Sequence, residues 1–90
     1  MGVITAEQCR GARAMLGWSQ TELAEAARVS RATVVDFERG ARIPHRSNLT
    51  AIRRALETGG IEFVAENGVL LKRASQAASE DDEEAVRESP

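Results

Sequence analysis

Ninety residues, 42% of them hydrophobic but with one Trp, two Phe and no Tyr, allow one small domain in which about 65 to 70 residues are able to pack around an aliphatic core. The single Cys9 excludes an internal disulfide, and with no apolar run of membrane-spanning length and no signal-peptide pattern the expectation is a soluble cytoplasmic chain. The formal net charge of −2 hides two unlike parts: residues 1–73 carry 11 Lys/Arg against 8 Asp/Glu, whereas residues 74–90 carry one Arg against 6 acidic residues, so a mildly basic domain suited to nucleic acid precedes an acidic segment.

Thr5 caps a helix expected over Ala6 to Leu16, with Gln8 completing a capping box and Gly17 suited to the left-handed stop. Its inward face is Cys9, Ala12, Arg13 and Leu16 at helical spacing. Cys9 reads as a small core residue, and Trp18 as a packing plug before the next helix. Ser19 and Glu22 form a second capping box at the head of a helix from Gln20 to Ala27, which turns Leu23, Ala24 and Ala27 inward. After Arg28-Val29-Ser30, with Ser30 as cap, a third helix buries Val34 and Phe37 and ends at Gly40. Pro44 prevents a helix through Ala41 to Arg46. Ser47 is expected to cap a fourth helix from Asn48 to Glu57, whose stripe is Leu49, Ile52 and Leu56 and whose stop is Gly59-Gly60.

Two β-type runs, Ile61 to Ala65 and Val69 to Lys72, flank Glu66-Asn67-Gly68, and the Asn-Gly pair is a strong hairpin signal. A two-stranded hairpin is marginal in water, so it needs a partner surface: its own helices or a second subunit. Phe63, Val64, Val69, Leu70 and Leu71 are assigned to dimerisation on this ground. From Ala74 onward the apolar residues are Ala and Val86, and Glu80 to Glu84 is wholly acidic; this part is expected to be a disordered acidic tail. The divisions are thus a helical unit over 1–60, a hairpin over 61–73 and a tail over 74–90.

Two short capped helices joined by a turn of a few residues, the second with small and polar side chains facing outward, have the build of a helix-turn-helix, whose second helix enters a DNA major groove. The run Leu16-Gly17-Trp18-Ser19-Gln20-x-Glu22-Leu23-Ala24, the turn, and Phe37-Glu38-Arg39-Gly40 followed by Pro44 resemble the XRE family of repressors, which includes small phage repressors and Cro proteins. The resemblance spans roughly residues 7–57. It implies a mainly α, lambda-repressor-like bundle of about four helices, to which this chain adds the hairpin and tail, and a bacterial or phage origin.

Arg31 and Ala32 open the third helix, the end that family members push deepest into the groove. Arg is matched to guanine and Ala to the thymine methyl, and Val35 and Asp36 follow one turn later on the same face as further base contacts. Asp36 is also placed to orient Arg31 or Arg39. Ser30, Thr33, Arg39, Arg42 and Arg46 have the chemistry of sugar-phosphate contacts. Gln20 joins them: it sits at a helix N-terminus, where an anion is favoured, and the resemblance implies a phosphate contact there and packing against the third helix. Arg28 is a weaker candidate, and His45 reads as an ordinary exposed loop histidine. Arg13 and Glu38 fall near inward faces, and the resemblance implies that they form a structural ion pair across the first and third helices.

One His, one Cys and scattered carboxylates supply no metal cluster, phosphate loop or nucleophile-base constellation, so no enzyme activity, cofactor or metal is expected. The expected function is a homodimeric transcriptional regulator, a repressor of a pseudo-palindromic operator, with autoregulation implied by family habit. The alternative is an antitoxin or antiactivator of the same fold that acts on another protein through the hairpin or the acidic tail.

Overall fold

The computed structural model describes residues 3–72; the tail expected over 74–90 lies outside them. Four helices, α1 (Ala6–Leu16), α2 (Gln20–Ala27), α3 (Arg31–Glu38) and α4 (Arg46–Thr58), precede an antiparallel hairpin of β1 (Ile61–Val64) and β2 (Gly68–Leu71). The fold is mainly helical with a helix-turn-helix at its centre. Both expected capping boxes form, Thr5 with Gln8 and Ser19 with Glu22, so each satisfies two backbone N–H groups that the helix start leaves orphaned. Gly17 ends α1 at φ 72°. Ser30 caps α3 by accepting from Thr33 N–H, and Gly40 at φ 75° closes its last turn by donating to Phe37 O over 3.1 Å.

The fourth helix corrects the expected boundary. It starts at Arg46 rather than Asn48, and His45, not Ser47, is its cap: His45 Nδ1 lies 3.2 Å from Ser47 Oγ and takes the Ser47 N–H at 3.5 Å. Pro44 forces extended backbone just before, and His45 O then accepts from Asn48 N–H and Leu49 N–H to open the helix.

Leu23, Val34, Ile52 and Leu56 are fully buried, one or more from each of α2, α3 and α4, and Cys9 and Ala12 complete the centre from α1. Each large aliphatic side chain so buried contributes roughly 1.5–3 kcal/mol. No described helix is long and apolar enough to cross a membrane.

The hairpin lies back on the helices, β2 against α1 and β1 against α4. Pairing of Ile61 with Leu71 and Phe63 with Val69 puts these four on the inward face, and Glu62, Val64 and Leu70 on the outward one. Gly11 in α1 leaves room for Val69: a Cβ there would stand 3.4 Å from its side chain. The expected strand ends shift by one residue. Gly68 pairs with Val64, so the loop is Ala65, Glu66 and Asn67, with Glu66 at φ 67°. The reason is distant in sequence. Gln8, 4% exposed, accepts from Thr5 N–H and donates through Nε2 to both Val64 O and Gly68 O at 3.0 Å, while Thr5 Oγ1 donates to Asn67 Oδ1. The start of α1 thereby clamps the hairpin loop.

Candidate nucleic-acid interface

Amphipathic spacing decides which side of α3 is free. Val34, Phe37 and Glu38 face the core, held against α1 and α2, and this leaves Arg31 and Ala32 exposed at the N-terminal end and Thr33, Val35 and Asp36 half-buried. The α3–α4 loop runs alongside. Between them is a cleft of about 530 Å³ walled by Ser30, Ala32, Asp36, Arg42, His45 and Asn48 among others. Arg42 and His45 are exposed on its loop side, and Arg46, which does not line it, is exposed at the start of α4. The start of α4 has no acidic residue in its first turn, so Arg46 adds its charge to the positive end of a 13-residue helix dipole. That combination is unfavourable alone and is relieved by an anion such as a phosphate.

The remaining site residues are more constrained. Asp36 Oδ1 receives Arg39 Nη2 at 3.3 Å, so it orients Arg39 rather than Arg31 in the unbound chain. Ser30 Oγ is engaged by Thr33 N–H and lies 2.8 Å from Thr33 Oγ1, which ties both hydroxyl groups to the cap. Gln20 Nε2 donates to Glu38 Oε1 at 3.0 Å. Its amide therefore braces α2 against the end of α3 while its carbonyl oxygen is uncommitted to that bond.

Beneath this surface is a buried polar cluster. Glu38, 3% exposed, is met bidentately by Arg13, whose Nε and Nη2 each donate at 2.8 Å, and Arg13 Nη1 also donates to Trp18 O. Cys9 Sγ–H donates to Glu38 Oε2 at 3.0 Å, and Arg10 Nη1 donates to the Glu38 carbonyl. Burial alone would raise the Glu38 pKa, but the hydrogen bonds from Arg13, Cys9 and Gln20 outweigh it and hold the carboxyl below its ordinary value. Hydrogen bonding to Glu38 raises Arg13, against the opposing effect of burial. Burial first, then the carboxylate beside it, pushes the Cys9 thiol far up, so the sulfur stays protonated and unreactive. The cluster fixes α3 relative to α1 and α2, and with it the pose of Arg31.

Of the hairpin residues, Phe63, Val69 and Leu71 pack on the chain's own core, whereas Val64 and Leu70 remain exposed. Sequence reasoning passed over Asn48, which the early start of α4 carries into the α3-side cleft with an amide suited to hydrogen bonding. It also passed over Arg10 and the long-range role of Gln8; nothing local in the sequence signals those, since each partner lies at least 28 residues away.

Residues 10–63 match the model of a helix-turn-helix family. Among curated proteins, none matches the chain.

Proposed function

The chain belongs to the XRE-like helix-turn-helix family of DNA-binding regulators, and from that premise we propose that it is a repressor that binds a pseudo-palindromic operator as a homodimer. The observation that carries this is the free N-terminal end of α3 beside an acid-free, arginine-flanked start of α4. In this reading Arg31 and Ala32 reach base edges in the major groove, with Val35 and Asp36 one turn behind. Arg42, Arg46 and Arg39, with Gln20, Ser30 and Thr33, hold the backbone and set the register. Asp36 then either keeps Arg39 aimed at a phosphate or exchanges it for a cytosine amino group on binding.

Two-fold operators require a two-fold protein, since one small unit reads too few base pairs for useful specificity. Footprinting of the full chain on the DNA upstream of its own gene tests the proposal. Protection over paired half-sites, weakening steeply with salt, is the expected result. Absence of protection even at low salt would shift the reading to a protein-directed antiactivator or antitoxin.

A further inference from the structure

A cleft of about 490 Å³ lies between α2 and α4 and shares no wall residue with the α3-side cleft. Small residues make it. Ala26 and Ala27 at the end of α2 meet Ala51 and Ala55 of α4, so the helices lack the large side chains that would fill the space between them. Trp18, half-buried, and Gly59 complete the wall. Two exposed arginines, Arg28 and Arg54, stand on its rim, and neither forms an ion pair with another described residue. An apolar groove edged by two unneutralised cations suits a segment that combines small uncharged residues with carboxylates.

We infer that the acidic segment of this chain docks in the cleft, residues 74–79 along the alanines and Trp18, residues 80–84 against Arg28 and Arg54. The point at which the chain leaves the hairpin selects this occupant. Lys72 N–H donates to Gly60 O at 2.7 Å, next to Gly59 in the wall, so the segment starts beside the groove. Along α4 the groove runs from Gly59 back to Ala51, about 12 Å at the helical rise. Ala74 to Ser79 carry no charge, and the block Glu80 to Glu84 begins eight residues beyond Lys72, a reach of up to about 26–29 Å. The carboxylates therefore reach both arginines with slack. Because the segment is tethered, its effective concentration is on the order of millimolar, and exposed ion pairs too weak to hold a free peptide suffice. In the DNA-binding reading, on which this consequence alone rests, docking withdraws Arg28, in the turn between α2 and α3, from the phosphate backbone.

Trp18 is the one tryptophan of the chain, so its fluorescence reports on the cleft. The measurement is quenching by acrylamide, an uncharged probe, in the full chain without DNA. Replacing the block by isosteres (Glu80→Gln, Asp81→Asn, Asp82→Asn, Glu83→Gln and Glu84→Gln) alters no described residue. It should raise the quenching constant about twofold, because the ring loses its cover when the ion pairs are gone. Sodium chloride at about 1 M should bring the wild-type chain to the same level and leave the neutral-block chain unchanged. Arg54→Gln, at an exposed side chain, should abolish the salt response. Equal quenching of wild-type and neutral-block chains at low salt overturns the inference, as does protection that disappears on dilution, which would come from another copy. A neutral block that raises DNA affinity with Trp18 quenching unchanged would place the segment on the DNA-facing arginines, overturning the docking while the DNA-binding reading stands. Protection of Trp18 in a chain that binds no DNA would support the docking and remove the DNA-binding reading.

Discussion

Arg13→Ala removes the cation from a carboxylate that is 3% exposed. Breaking a buried pair by deleting one partner typically costs about 3–5 kcal/mol. Here Gln20 and Cys9 still donate to Glu38, which places the expected loss near the lower bound, about 3 kcal/mol at neutral pH. In a domain of this size each kcal/mol moves Tm by roughly 4–8 °C, so a fall of about 12 °C or more should be seen. The pH dependence is more diagnostic than the size. In the wild-type chain Glu38 is held below its ordinary value, so its contribution is complete above the unfolded pKa of about 4.5 and is lost as pH falls through the lower folded pKa. Without Arg13, burial becomes the dominant influence and the folded pKa rises above the unfolded one. The stability deficit should then be largest near neutrality and shrink as pH falls towards about 4. Thermal melts of both proteins across that range give the difference directly. A deficit that is independent of pH, or smaller than about 1 kcal/mol, would refute the claim that Arg13 neutralises a buried charge.

Arg42→Ala and Arg46→Ala should each weaken binding to all duplexes alike and reduce the slope of log affinity against log salt by about one unit, measured by fluorescence anisotropy. Deleting residues 74–90 removes 6 acidic residues and should raise non-specific affinity, most at low salt; unchanged or weaker binding would leave the tail without an electrostatic role on DNA. Glu66→Gly should stabilise the fold by up to about 1 kcal/mol in chemical denaturation, because Gly takes the left-handed position without a side-chain clash.

Which parts of the fold were legible follows from where the determining contacts lie. The ends of α1, α2 and α3 are set by groups within three residues of each other, Thr5 with Gln8, Ser19 with Glu22 and Ser30 with Thr33, and such signals survive in any context. The start of α4 differs from the expectation because Ser47 is the better intrinsic cap, whereas the His45 ring, just after Pro44, acts two residues earlier and takes the position. The hairpin was recognisable from Asn67-Gly68, but its loop was not, since Gln8 and Thr5 hold it from about 60 positions away. Likewise the exposure of Arg31 and Ala32 follows from the spacing of Val34 and Phe37, and the resemblance implies that Gln20 packs on α3, whereas the clamp of Gln8 on the hairpin depends on packing that brings separate segments together.

The central claim is that the exposed end of α3 reads sequence while the arginines around it only hold the backbone, and Arg31→Ala tests this most directly. Duplexes bound by the wild-type chain are selected from a random pool, and affinities of both proteins are then measured on the selected sequence and on unselected DNA. The account predicts that the wild-type chain enriches a two-fold sequence, and that Arg31→Ala loses about 1–3 kcal/mol on it, with preference relaxed at one base pair per half-site and non-specific binding far less affected. Equal weakening on selected and random DNA would make Arg31 a phosphate contact and contradict the assignment of base reading to α3.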